Sequence, residues 1–163
     1  MRAHAHTTTP PMYDRYYQSK KDAAHKLYTE RPLIYSPFFK QSVFLGPEGF
    51  KHLCVSSQGE RSRDEQIQRF ILLPLALYIL ETTTKPPAYR RRFCSIASGT
   101  SLSKKREVVQ WWSFVHRFKK ERITVRVVVR KVGKGKIHFW SVMLNTNGMG
   151  DAPDLASVAT MWE

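Results

Sequence analysis

The feature that most constrains this chain is residues 108–145. They contain three runs rich in β-branched and aromatic residues, VVQWWSFVHRF, ITVRVVVRKV and KIHFWSVMLN, separated only by KKER and GKG. Runs of that kind fit a pleated surface, and connectors that short suit hairpins; glycines flank Lys134 as a bulged turn would need. The expectation is a three-stranded antiparallel meander. Side chains alternate across a strand. A first turn flanked by Phe118 and Ile123 therefore puts Trp112, Phe114 and Phe118 on one face with Ile123, Val125, Val127 and Val129. With 133–135 as the second loop, Ile137, Phe139 and Met143 join that apolar face, Ser141 falls among them, and His116 lies there near the sheet edge. The opposite face then carries Trp111, Ser113, Arg117, Arg126, Arg130, His138 and Trp140. A slip of one residue in either turn would exchange the faces of a strand.

An apolar sheet face needs a cover, and the preceding sequence supplies helices. Residues 42–45 read as a short strand, GPEG as a turn, and Pro47 suits the first turn of a helix that places Phe50, Leu53 and Cys54 on one side. Residues 57–59 end it. Ser62 followed by Glu65 is a capping box that opens a second helix. Its apolar stripe runs through Ile67, Phe70, Ile71, Leu75, Tyr78 and Ile79 to about Glu81, with Pro74 expected to kink or split it. Residues 82–87 read as a loop, 89–93 (YRRRF) as a basic segment and 97–105 as a flexible Ser/Gly/Lys stretch. The fold class that follows is α+β, with N-terminal helices packed on one face of a twisted antiparallel sheet of at least three strands. The domain spans 42–146. Ahead of it come a disordered leader (1–12) and an arm or amphipathic helix (13–41), in which Tyr13, Tyr17, Ala24 and Tyr28 keep rough helical spacing; a loose tail (147–163) follows.

Charge narrows the function. The 163 residues carry 27 Lys and Arg against 13 acidic residues, a net charge of +14. A field of that sign concentrates polyanions, and nucleic acid is the commonest of them. Cys54 and Cys94 lie in no CxxC motif and near no histidine cluster, which argues against a zinc site or a disulfide framework and for two reduced thiols. No stretch approaches a membrane span, and the N-terminal residues lack the apolar centre of a secretory signal, so the expected location is the cytoplasm, with no membrane partner. The chain has no GxGxxG, GKS/T, HExxH, GxSxG or EF-hand pattern, which disfavours nucleotide hydrolysis, zinc proteolysis and serine hydrolysis.

The polar face of the meander suits RNA. Arginine forks match phosphate oxygens, and exposed indoles stack unpaired bases. Cleavage of RNA without metal needs a base for the 2′-OH, a cation for the charged phosphorus and an acid for the departing 5′-oxygen. His138 is the candidate acid or base, and Arg126 and Arg130 are the candidate phosphate clamps. A second cluster, Lys51, His52, Arg61, Arg63 and Arg69, comes from the helices; His52 is either a packing residue or a member of the same site. Arg61, Arg63, Arg90, Arg91, Arg92, Trp111, Arg117 and Trp140 are the candidate nucleic-acid contacts, and no metal or cofactor is called for. For Trp140, core and ligand-binding readings carry equal weight.

GFKHL, the helix GERSRDEQIQRFILLPLALYIL and the strands ITVRVVVRKVGKGKIHFWSV together resemble the barnase–EndoU–colicin–RelE (BECR) nuclease superfamily, in particular its compact phage- and plasmid-borne members. The resemblance covers residues 42–145. It implies metal-independent RNA cleavage of the toxin type, within toxin–antitoxin, phage-defence or polymorphic-toxin systems. An acidic antitoxin or immunity protein would be the partner beside RNA. It also implies a site made of a helix histidine, a basic residue on the central strand and a hydroxyl on the last strand, here His52, Arg126 and Ser141. The face assignment above sends Ser141 to the core side, where such a hydroxyl would be out of place. Two rival readings remain: a non-enzymatic RNA- or DNA-binding module of a mobile element, and a protein-interaction module whose basic face meets an acidic partner.

Overall fold

The meander forms with the expected turns. In the computed structural model, β6 (Lys104–Phe118) and β7 (Ile123–Val132) pair antiparallel with Phe118 opposite Ile123, and β7 pairs antiparallel with β8 (His138–Leu144), with Arg130 opposite His138. Arg122 and Gly133 take the left-handed backbone that these tight connectors require (φ +56° and +53°). The structure describes residues 12–97 and 104–145. Most of the expected leader, the centre of the Ser/Gly/Lys stretch and the expected C-terminal tail lie outside the described residues.

Among the described residues the sheet has six strands, in line with the expectation of at least three, in the order β1-β2-β8-β7-β6-β5. The basic YRRRF segment belongs to β5 (Ala88–Ala97), a long edge strand paired with β6 along its whole length. On the other side, β1 (Leu33–Ser36) and β2 (Gln41–Phe44) form a hairpin, so the expected arm at 13–41 is part of the fold. That hairpin joins β8 through one parallel pair, Phe44 with His138, which makes the sheet mixed rather than purely antiparallel.

Among the described residues three helices accompany the sheet: α1 (Met12–Glu30), α2 (Pro47–Cys54) and α3 (Arg63–Thr82). A two-stranded hairpin, β3 (Val55–Ser56) with β4 (Gly59–Glu60), links α2 to α3. Ser62 caps α3, its hydroxyl accepting from the Glu65 amide at 3.2 Å. Helix α3 is apolar nearly all round over Ile71–Leu73, Leu75–Leu77 and Ile79–Leu80 because it lies between neighbours: it touches β1, β6, β7 and β8, and α1 packs along it. Tyr17 donates to Gln66 at 2.6 Å, Asp14 pairs with Arg63 and Arg31 pairs with Glu81, so α1 and α3 run in the same direction. Pro74 does not split α3; the helix continues through it, with the flanking Leu73 and Leu75 fully buried. Among the described residues, no helix is long and apolar enough to cross a membrane.

The core face is the expected one up to β8. Phe114, Ile123, Val125, Val127, Val129 and Phe139 are buried against the helices, with Trp112 and Phe118 packed at the margin. A β-bulge then inserts Trp140 between the register positions of Phe139 and Ser141. One extra residue shifts every later side chain by one place. Val142 therefore fills the core position expected of Met143, and Met143 stands opposite Arg126.

Candidate nucleic-acid interface

Helix α2 brings the first functional side chain to the sheet. Gly46 is its N-cap and Pro47 opens it. Gly49 backs directly onto β8, where a Cβ would collide with the Phe139 carbonyl. The close approach requires glycine at that position. His52, one turn further on the same side of the helix, then lies on Trp140, with ring centres 4.3 Å apart and planes at 23°. The Arg130 guanidinium lies over the same indole, 4.1 Å from its centre. Two groups that close to one ring centre cannot share a face, so Trp140 is sandwiched between His52 and Arg130. Both faces are occupied, and the expectation that Trp140 stacks a base is corrected: it is the pillar that positions its two neighbours.

His138 completes the cluster. It sits across from Arg130 on β7, with its ring centre 5.9 Å from Trp140. Its Nδ1 faces the Lys136 carbonyl at 3.4 Å. A carbonyl only accepts, so that contact places the hydrogen of the neutral ring on Nδ1 and leaves a lone pair on Nε2. His138 Nε2 and Arg130 Nε are both buried and without a hydrogen-bond partner. Buried polar atoms are ordinarily satisfied, so two orphans on one cross-strand pair call for a polar ligand or water.

The electrostatics follow from burial among arginines. Burial, and then Arg61, Arg69 and Arg130, push His52 down from 6.5 to about 4. Burial lowers His138 as well, with Arg130 adding to the effect and the Lys136 carbonyl and Glu48 opposing it. Burial also lowers Arg130, against the pull of Glu48. At neutral pH the cluster is two neutral imidazoles beside a charged guanidinium. Glu48, at the start of α2, is the carboxylate that bears on both Arg130 and His138.

Behind the cluster, Arg69 is nearly buried. Its Nη1 donates to Ser141 Oγ at 2.6 Å and to the Val142 carbonyl at 2.8 Å. Ser141 is 1% exposed, so its hydroxyl is held internally and is not presented to a ligand; the role implied by the resemblance is corrected. Arg61 donates from Nε to the His52 carbonyl at 3.2 Å and belongs to the cluster's surroundings.

The other sequence candidates divide. Arg126 shares the face but is four residues from Arg130, about 13 Å along the strand. Its Nη2 donates to Asn145 at 3.3 Å and its buried Nε is unpartnered. Trp111 pairs with Arg130 across the ladder, and the Arg90 guanidinium covers it at 4.6 Å. Arg92 lies on the same face as Arg90, and Arg91 on the other. Arg117 is exposed six residues beyond Trp111, too far to join the cluster. Arg63 is committed to α1, paired with Asp14 and stacked on Tyr17. Sequence reasoning gave no role to Glu48 and none to Arg69 beyond membership of a cluster. The E and R of those segments carry no motif, and only the β8 bulge and the docking of α2 give them partners. Cys54 and Cys94 are free. Among the described residues, no group of three or more His, Cys, Asp or Glu side chains is placed to hold a metal ion. No protein-family model matches this chain, and no curated protein or solved structure matches it either.

Proposed function

We propose that this protein is an RNA-cleaving toxin-type endoribonuclease of BECR type that works on its own side chains. The observation that carries the reading is the cluster of His52, Arg130 and His138 around Trp140, in which Arg130 and His138 are cross-strand partners and Arg130 Nε and His138 Nε2 have no hydrogen-bond partner. Once the two side chains turn outward, a phosphodiester beside a ribose hydroxyl satisfies both. The guanidinium N–H donates to a phosphate oxygen, and the imidazole lone pair accepts from the 2′-OH.

In the proposed reaction His138 takes the 2′ proton, the 2′-oxygen bonds to phosphorus, and the bond from phosphorus to the 5′-oxygen breaks. The departing oxygen takes a proton from His52, which has first taken one from solvent in the RNA-bound state. The negative charge of the bound phosphate offsets Arg130 and raises the proton affinity of that imidazole, which is otherwise low. Arg130 stabilises the charge that grows on the phosphoryl oxygens. The products are a 2′,3′-cyclic phosphate and a 5′-hydroxyl. The expected protein partner is an acidic antitoxin or immunity protein that covers the basic face, and the expected location is the cytoplasm.

The test is incubation with total RNA in EDTA, followed by mapping of the cut ends, for the wild type and His138→Gln. Cyclic phosphate ends made by the wild type and lost in the variant support the reading. Ends that form only with magnesium, or cleavage untouched by the substitution, refute it. The neutrality of both imidazoles favours one second reading, a non-enzymatic RNA-binding module. On that reading both proteins retain RNA and neither cuts it.

A further inference from the structure

The β5–β6 hairpin extends past the rest of the sheet. The last β6 residue with a partner on β7 is Val109, whereas the β5–β6 ladder continues from Phe93 opposite Val108 to Ala97 opposite Lys104. Five residue pairs project as a two-stranded ribbon, about 16 Å long. Described residues of this ribbon and its root carry Arg90, Arg91, Arg92, Lys104, Lys105 and Arg106, against the single carboxylate of Glu107. Glu107 is already engaged by Lys105 at 3.1 Å. In the angle between the ribbon and the β7–β8 turn lies an open hollow of about 790 Å³ whose lining includes Arg91, Lys105, Arg106 and Lys134. Clustered like charges repel one another, and an anion in the hollow relieves that repulsion.

A second observation is independent of charge. Along β5, Tyr89 and Phe93 share a face with Arg91, and both are exposed, at 53% and 66%. Tyr89 is anchored at its hydroxyl by Gln110 at 2.8 Å and leans on Trp112. No hydrogen bond or ring contact anchors Phe93 in the same way, and it is the most exposed phenylalanine among the described residues. Arginines blunt an edge strand against self-association, but an exposed phenylalanine on that strand works against them. Cations lining a hollow, with exposed rings beside them on the neighbouring strand, suit a single strand whose backbone follows the charges and whose bases stack on the rings.

We propose that this ribbon is a second RNA-contacting site, selective for a single-stranded segment. Phe93, with Tyr89 beside it, stacks unpaired bases, and Arg91, Lys105, Arg106 and Lys134 hold the adjoining phosphates. The inference rests on the RNA reading above and extends it to the substrate class: RNA with a single-stranded flank beyond the scissile bond.

The experiment uses the full chain and a labelled oligouridine, with binding measured over a series of salt concentrations. Phe93→Ala weakens binding on the order of tenfold and leaves the salt slope unchanged. Arg91→Gln with Arg106→Gln also weakens binding and reduces the salt slope by about one for each phosphate no longer neutralised. A short dinucleotide substrate, too small to reach the ribbon, is cut by both variants at the wild-type rate. All these side chains are exposed, and unchanged melting temperatures verify that the variants fold. Wild-type affinity in both variants overturns the proposal. Equal affinity of the wild type for duplex RNA overturns the single-strand assignment, and equal affinity for oligothymidine overturns the assignment to RNA. A wild-type dimer that Phe93→Ala converts to a monomer, with RNA binding intact, reassigns the ribbon to self-association. If no dinucleotide is cut while the binding signatures hold, the cleavage reading fails and the ribbon site stands.

Discussion

His52 gives the protein a pH-dependent stability that one substitution isolates. In the folded chain it binds its proton near pH 4, while in the unfolded chain it does so near 6.5. Between those values the unfolded state holds more protons, so stability rises with pH through the window and falls as the pH drops from 6.5 towards 4. The gap corresponds to ~3.4 kcal/mol when fully developed, and at pH 5 about 2 kcal/mol of it is lost. Water at the open edge of the ring makes this an upper value. His52→Phe keeps a ring on Trp140 and removes the titration. Urea unfolding of both proteins at pH 7.5 and pH 5 cancels the carboxylates they share. The wild type is expected to lose up to about 2 kcal/mol more than the variant, which for a chain of this size shifts the melting point by about 4–8 °C. Arg61→Gln removes one of the charges that disfavour the proton, so it moves the His52 Cε1–H titration upward when followed by NMR. Parallel pH profiles for wild type and His52→Phe would refute the placement of this imidazole among arginines.

Gly49→Ala drives a methyl group into the Phe139 carbonyl; urea unfolding should show a loss of about 1–3 kcal/mol, with RNA cleavage falling further because His52 is displaced from Trp140. Pro74→Ala gives the Phe70 carbonyl the amide donor it lacks inside α3, and thermal melts should show a gain on the order of 1 kcal/mol. Arg130→Met keeps an unbranched stem near Trp140 and removes a buried, partly unsatisfied cation. Its unfolding free energy should stay within ~1 kcal/mol of the wild type, because the desolvation recovered offsets the cation–π attraction removed, while cleavage drops at least ~100-fold.

What the sequence revealed, and what it hid, divides by the range of the interactions involved. The two hairpin turns and the face of β7 were legible because Phe118/Ile123 and the glycines around Lys134 are local signals, and Val125, Val127 and Val129 alternate without interruption. From them it followed that Arg130 and His138 share a face, and as cross-strand partners they do. Strand β5 was hidden by its charge: three consecutive arginines read as a basic segment for nucleic acid, yet an edge strand tolerates them because only one of its sides is paired. Strand β1 was hidden between Pro32 and Pro37, which flank a strand here rather than end one. The β8 bulge left no composition signal. It placed Val142 rather than Met143 in the core, and with α2 docked it turned Trp140 from a candidate base platform into the centre of a stack. Alternation extrapolated along a strand fails at the first extra residue.

The position of that bulge follows from how the chain covers the edge of β8. Strand β2 reaches β8 at a single pair, Phe44 with His138, and at Gly46 the chain stops being a strand and enters α2. Beyond His138, β8 has no strand neighbour on that side among the described residues, and helix-borne groups stand there instead. Gly49 lets the α2 backbone lie against Phe139, and Arg69 reaches over from α3 to donate to Ser141 and Val142. A strand edge served by side chains need not keep strict register, so it can accommodate the extra residue Trp140. The same arrangement buries three arginines and two imidazoles near one another, with Glu48 and Glu65 as nearby carboxylates, which is an expensive way to finish a sheet edge. Apolar residues would close that edge at lower cost in stability. That excess of buried positive charge favours an anion beside Arg130 and His138, whose Nε and Nε2 atoms lack hydrogen-bond partners.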